Sequence, residues 1–211
     1  MKNSSDVKVM LKEAGILFAI TLIAGLVLGF VYELTKEPIR LQQEKAIQEA
    51  CAAVFPESED VGMHFDVVEY TPGRELAGKL AEKGVEIGTV YEALSQDGVF
   101  HGYVVECTSK EGYGGNIVLY VGVTADSTVS GVSILEIAET PGLGMKAEDE
   151  LVPQFAQVKT DAFIYTKTGS SAENEIDAIS GATVTTEAVT SAVNGGLWVA
   201  AELTRGGGSN E

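Results

Sequence analysis

Residues 86–137 read EIGTVYEALSQDGVFHGYVVECTSKEGYGGNIVLYVGVTADSTVSGVSILEI. Apolar residues here recur at a period of two, the signature of strands with one buried face. Residues 86–94 form one such run, and Gln96-Asp97-Gly98 interrupts it. Residues 99–108 follow, with Val99, His101, Tyr103, Val105 and Cys107 on one face. An Asp-Gly between two alternating runs is a hairpin signal, because glycine supplies the positive φ that a tight turn needs. Residues 117–124 and 129–137 make a second pair around Ala125-Asp126-Ser127. Successive hairpins predict a mainly antiparallel sheet.

Outward from this core the period changes. Upstream, 65–70 is a further strand, and 57–60 is a polar loop after Phe55-Pro56. Residues 33–54 are rich in Glu, Gln, Lys, Ala, Ile and Leu and predict a helix, with Pro38 marking a kink or a restart. Downstream, 138–145 is a Pro/Gly loop, 147–158 is helical in part, 162–166 is a short strand and 167–174 is a polar loop. Residues 184–203 carry Val184, Ala188, Val189, Ala192, Val193, Gly196, Leu197 and Ala200 along one broad helical face. Gly195-Gly196 lower the helix propensity of that segment but permit close packing on a sheet. The fold class is α+β, an antiparallel sheet covered by helices.

Residues 14–32, AGILFAITLIAGLVLGFVY, are 19 positions without a charge. A helix of that length spans about 28 Å, close to the ~30 Å hydrocarbon core of a bilayer. A cleavable signal peptide has a shorter apolar core and a small-x-small site. The following Glu33-Leu34-Thr35-Lys36-Glu37-Pro38 offers no such site, so the run reads as an uncleaved transmembrane anchor. Lys2, Lys8 and Lys12 precede it on a short tail, which predicts the N-terminus inside and the long C-terminal part outside. The domain plan is a cytoplasmic tail (1–13), a transmembrane helix (14–32), a helical linker (33–60), an extracytoplasmic domain (61–204) and a flexible tail (205–211) that includes Gly206-Gly207-Gly208-Ser209.

The chain has 211 residues, with 14 Lys+Arg against 31 Asp+Glu and a net charge of −17. All but two of the acids follow the apolar run. Such a chain is repelled by phosphate backbones, so no nucleic-acid partner is expected. Two Cys and two His exclude a disulfide scaffold. His64 and His101 have no ligand at metal spacing, so no metal is assigned. Cys51 and Cys107 read equally as a disulfide or as two buried thiols.

The chemistry is concentrated in Asp177-Ala178-Ile179-Ser180-Gly181-Ala182-Thr183, a polar loop that runs directly into the terminal helix. Ser180 or Thr183 can cap that helix. Gly181 and Ala182 are small enough for a ligand to approach the backbone, and unpaired first-turn amides favour a phosphate. By itself the pattern is also that of an ordinary N-cap.

Asp177-x-x-Ser180-Gly181-Ala182-Thr183 resembles the flavinylation motif D-x-x-(S/T)-G-A-T. In proteins bearing it, a dedicated transferase takes FMN from FAD and joins its phosphate to the last Thr, which is Thr183 here. Glu139-Thr140-Pro141-Gly142-Leu143-Gly144 is similar to the E-T-P-G-L-G loop of FMN-binding domains, and Gly112-Tyr113-Gly114-Gly115 resembles their G-Y-G-G stretch. With the N-terminal anchor, the order of these segments resembles the G subunits of Rnf-type ion-translocating ferredoxin:NAD⁺ oxidoreductases. The C subunits of Na⁺-pumping NADH:quinone reductases share the pattern, and the short chain favours the former.

The resemblance implies a covalent FMN on Thr183, a phosphoester that makes the chain both flavoprotein and phosphoprotein. It implies a flavin transferase during maturation and other subunits of a membrane redox complex as partners. The subunit relays electrons and carries no catalytic residue of its own. Contacts with the flavin are expected from Tyr113, Glu139, Thr140, Gly142, Leu143, Gly144, Asp177, Ser180, Gly181 and Ala182. Lys146 reads either as a counter-charge for the phosphate or as an ion-pair partner of the neighbouring acids. Two other classes remain: a regulatory module using the same FMN domain, and a structural domain in which Ser-Gly-Ala-Thr is only a cap.

Overall fold

The computed structural model describes residues 4–56 and 58–206, with backbone alone at 4–9, 43, 59 and 60. Lys2, Glu57 and Gly207-Gly208-Ser209 lie outside the described residues. The chain divides into two compact units between Ile47 and Gln48.

The first unit consists of one helix, α1, which spans Ser4–Ala53 and ends within the second unit. It runs unbroken through Pro38, so the expected restart does not occur. Proline removes one backbone donor, but the helix on either side is long enough to hold the turn together. One stretch of α1 is long and apolar enough to cross a membrane. Within it the Thr21 hydroxyl bonds back to Leu17 O at 3.1 Å and Phe18 O at 3.0 Å, so this hydroxyl is not left bare among apolar neighbours. Beyond the apolar run Arg40 pairs with Glu37 at 2.6 Å and Glu44 at 2.5 Å, all three exposed.

The second unit is built on a six-stranded antiparallel meander in sequence order. Its strands are β1 (His64–Val68), β2 (Val85–Leu94), β3 (Phe100–Ser109), β4 (Ile117–Thr124), β5 (Thr128–Ile137) and β6 (Val158–Lys159). The predicted hairpins β2–β3 and β4–β5 form with Leu94 opposite Phe100 and Val123 opposite Val129. The predicted short strand is β7 (Ile164–Thr166), which pairs in parallel with β8 (Glu175–Asp177), three residues assigned to no element from sequence. A nine-residue helix α3 (Arg74–Glu82) also escapes the sequence reading, since Leu80 is its one buried side chain. Residues 58–60 of the loop expected at 57–60 fall instead in one short helix, α2 (Ser58–Val61). The partly helical 147–158 segment resolves into α4 (Ala147–Glu150) and α5 (Val152–Phe155) before β6.

The terminal helix α6 (Thr183–Gly206) covers one face of the sheet. Ala188, Val189, Ala192, Val193 and Leu197 pack with Tyr103, Val105, Cys107, Leu119 and Val121 in one buried cluster. The paired glycines set this contact. A Cβ on Gly196 would lie 2.8 Å from Val121 Cβ, and one on Gly195 would lie 2.9 Å from Val85 Cγ1. Arg205 and Gly206, expected in a flexible tail, complete the last turn of α6.

The opposite face is covered too. Val54 sits over Gly122 and Gly131, which are paired across β4 and β5; a Cβ on either would come within 3.0 Å of Val54 O. Beside them Tyr91 and Tyr120 meet edge to face at 5.9 Å. Val104 and Val105 are consecutive and both fully buried, because each side of β3 has its own cover. Cys51 and Cys107 are free and buried.

Candidate functional site

Three segments separated in sequence meet at one end of α6: the β3–β4 connection, the loop after β5, and the segment from β8 into α6. Their approach is close enough to require glycine. A Cβ on Gly114 would lie 2.0 Å from Ala138 O, and one on Gly144 would lie 2.7 Å from both Glu139 Cβ and Thr185 Oγ1. Gly181, at φ +81°, adopts a conformation that L side chains rarely reach, and a Cβ there would lie 3.3 Å from Leu143 Cδ2. The loop is closed by Thr140 O, which accepts from Leu143 N at 3.2 Å and Met145 N at 3.3 Å.

The start of α6 is held differently from the expected cap. Neither Ser180 nor Thr183 makes a side-chain hydrogen bond among the described residues. Instead the Thr186 hydroxyl ties the preceding loop to the helix: it accepts from Ile179 N at 3.2 Å and donates to Ala182 O at 3.0 Å. The helix reaches back from its own first turn to fix the loop. The Thr183 hydroxyl, half-buried at the first helical position, therefore carries no structural duty. Thr185 and Thr186 are buried at 1% and 0% exposure. The first turn-closing bond is Thr186 N to Ala182 O at 3.0 Å. The amides of Thr183, Val184 and Thr185 precede it and have no acceptor within the helix. They carry the partial positive charge of a helix N-terminus.

Glu139 is 7% exposed, and its Oε1 is buried without a hydrogen-bond partner among the described residues. It faces Gly112, where a Cβ would lie 3.0 Å from Oε1. A buried carboxylate oxygen left unpaired is costly, so this acceptor calls for a donor. On the same three segments, apolar side chains stand in solvent: Tyr113 is 75% exposed, Val184 48%, Met145 43% and Leu143 40%. Lys146 pairs with Glu150 at 3.0 Å, the ordinary ion pair of the two readings open to it. Asp177 does not face Thr183. Its carboxylate accepts from Ser170 N at 2.5 Å and Ser170 Oγ at 3.2 Å.

The structure thus brings together Glu139, Leu143, Gly144 and Gly181 of the expected set, and places Ala182 and Thr183 at the helix start. Thr140 contributes its carbonyl to the loop, and Gly142, at φ +76°, its turn. Gly112, Gly114 and Thr185 belong to the site as well. The first two stand in the Gly112-Tyr113-Gly114-Gly115 stretch, but that a Cβ there is excluded by neighbours is visible only in three dimensions. Free helix amides and a free hydroxyl suit a phosphate, while an unpaired buried acceptor beside apolar side chains suits a planar ring bearing N–H donors. These residues fit FMN. Among the described residues no group of His, Cys, Asp or Glu is placed to hold a metal ion.

A helix start with free amides beside an exposed apolar rim accords with the class that the sequence match gives, an FMN-binding domain: residues 112–197 match the family model described as FMN-binding domain. Residues 1–54 match the model of the RnfG N-terminal region. The G subunit of the Na⁺-translocating ferredoxin:NAD⁺ oxidoreductase complex of Acetobacterium woodii is 32% identical over 97% of this chain and 98% of that protein. The G subunit of the proton-translocating ferredoxin:NAD⁺ oxidoreductase complex of Clostridium ljungdahlii is 35% identical over 86% of this chain and 90% of that protein. The chain belongs to this family of oxidoreductase-complex G subunits. The crystal structure of Shewanella oneidensis NqrC has the same fold, with a TM-score of 0.53 over 79% of this chain and 99% of that one at 17% identity.

Proposed function

We propose that this protein is the electron-transfer subunit of a membrane-bound, ion-translocating ferredoxin:NAD⁺ oxidoreductase complex, and that its FMN is bound covalently to Thr183. The observation that carries this reading is the unused Thr183 hydroxyl at a helix N-terminus, against which the loop that holds the unpaired Glu139 Oε1 packs through Gly144 and Thr185. Loading forms a bond between Thr183 Oγ and phosphorus. It breaks the phosphoanhydride of FAD, AMP leaves with the bond's electron pair, and the hydroxyl proton passes to solvent. The buried Thr185 and Thr186 are shielded from that reaction.

In this reading the amides of Thr183, Val184 and Thr185 hold the phosphate. Glu139 accepts from the ring, Thr140 lies at its polar edge, and Leu143 and Tyr113 lie against its faces. Ser180, Gly181, Ala182 and Asp177 form the segment that the flavin transferase recognises. Bound flavin supplies electron transfer in one- or two-electron steps, and the protein supplies placement and electrostatics. The Glu139 carboxylate disfavours added electron density, while the α6 N-terminus favours it.

Residues 14–32 anchor the chain in the plasma membrane, with 1–13 in the cytoplasm, 33–60 as linker and the FMN domain of 61–204 outside, as Lys2, Lys8 and Lys12 before the span favour. Ferredoxin and NAD⁺ are cytoplasmic. Electrons that visit this flavin then cross about 30 Å of hydrocarbon, too far for one hop, so other subunits carry cofactors within the membrane. The test is ferredoxin:NAD⁺ electron transfer in membranes carrying Thr183→Ala in an assembled complex. Loss of transfer supports the reading. Wild-type transfer by an assembled complex without flavin on this subunit contradicts it.

A further inference from the structure

We propose that Gln154 is a positioning residue for flavin loading, clamping the start of the 177–183 segment to the helix that follows the 139–144 loop. The inference rests on Thr183 being the flavin acceptor. Strand β8 has β7 on one edge, with Thr166 opposite Asp177. On its other edge Asp177 turns its N–H and C=O toward α5. There the Gln154 side-chain amide takes both: Asp177 N donates to Oε1 at 2.7 Å, and Nε2 donates to Asp177 O at 3.2 Å. The amide stands in for one residue of a neighbouring strand. Its Nε2 is itself steadied by Glu150 O at 2.6 Å.

With the Asp177 carboxylate engaged by Ser170, all four polar functions of Asp177 are occupied. The next residue is held as well, Ala178 N donating to Thr166 O at 2.8 Å. At the far end of the segment the Thr186 hydroxyl fixes Ile179 and Ala182. Both ends are pinned; Ala182 is buried in the core, and Ser180, Gly181 and Thr183 are left exposed or half-buried with the two side-chain hydroxyls unused. The clamp also joins the two flavin-contacting segments. Gly144, ten residues before Gln154, touches Thr185 at one end, and Gln154 holds Asp177 at the other. An acceptor held in one geometry saves the transferase the entropy of ordering it.

The test measures covalent loading of the full-length chain by flavin transferase and FAD, read as flavin fluorescence of denatured protein. It is run well below the melting temperature of every variant. Gln154→Met keeps the length of the side chain and removes the amide; Gln154→Ala removes both. Tyr70→Phe removes a hydrogen bond to Glu202 at the other end of α6 and reports the effect of lowered stability alone. Both Gln154 variants should load about tenfold more slowly than wild type, the factor that one or two ordinary hydrogen bonds amount to. Their attached flavin should show lower fluorescence anisotropy. Wild-type rates and anisotropy in both variants overturn the inference. So does recovery in Gln154→Met, which would make the role one of packing, or equal slowing by Tyr70→Phe. A wild-type chain that stays unloaded, or a Thr183→Ala chain that loads, overturns the acceptor assignment and this inference with it.

Discussion

Replacing Gly196 by Ala sets two effects of known sign against each other. In an ordinary helix the change stabilises by about 1 kcal/mol, because Gly loses more backbone freedom on folding than Ala. Here the new Cβ would lie 2.8 Å from Val121 Cβ and 2.9 Å from Val121 Cγ2. Carbon atoms in contact prefer about 3.5–4.0 Å, so α6 or β4 must shift by roughly 1 Å. Val121 is fully buried, and the clash falls at its branch point, so no rotamer relieves it. Overpacking of this kind costs about 1–3 kcal/mol. The net expectation is a loss of about 1 kcal/mol, or about 2–4 °C in melting temperature for a domain of this size. Gly78, helical in α3 with nothing within 4 Å of a Cβ, is the control: Gly78→Ala should gain what Gly196→Ala loses. Thermal unfolding followed through Trp198, the chain's single tryptophan, on α6 itself, reads both. A Gly196→Ala protein as stabilised as Gly78→Ala would show that α6 does not press on the sheet at this point.

Three further outcomes are expected. The Tyr70 hydroxyl is held well above its usual range, first by burial and then by its bond to Glu202. Its contribution to stability is therefore full below about pH 10, the unfolded value, and is lost as pH rises beyond it. Melting temperature should fall less steeply above pH 10 in Tyr70→Phe, and an unchanged slope would remove Tyr70 from the account. In flavin-loaded protein Glu139→Gln takes a negative charge from beside the ring and should raise the midpoint potential by on the order of tens of millivolts; a lower potential in a redox titration would contradict that placement of the carboxylate. A reporter active only outside the cytoplasm, fused after Glu211, should be active. Silence there, with activity of the reciprocal cytoplasmic reporter, would invert the topology.

The sheet was legible in the sequence because its hairpins are local: Asp97-Gly98 and Asp126-Ser127 each join two alternating runs a few residues apart. What escaped depends on distant partners. Strand β8 exists because β7 lies beside it and Gln154 caps its other edge, and its three residues have no period to read. Helix α3 has an inward stripe of only Leu76 and Leu80, one turn apart, too short to mark a helix in the sequence. The cover on the second face of the sheet was invisible because Val54 needs Gly122 and Gly131, nearly seventy and eighty residues away, to leave room for it. At the candidate site the motif pointed to Thr183 and the loop to Glu139, but the cap expected from Ser180 or Thr183 does not form among the described residues. Ser180 and Thr183 satisfy the N-cap pattern equally well by residue type. Thr186 holds the loop in their stead, because its hydroxyl, one turn inside the helix, reaches both Ile179 N and Ala182 O.

The central claim is a phosphoester at one hydroxyl, and peptide mapping tests it most directly. The full chain is loaded by flavin transferase and FAD, denatured, digested and fragmented in a mass spectrometer. The account predicts one flavin-bearing peptide with the modification on Thr183, and a Thr183→Ala chain that shows no flavin fluorescence on a denaturing gel. A flavin found on Ser180, Thr185 or Thr186, or a Thr183→Ala band that still fluoresces, would contradict it.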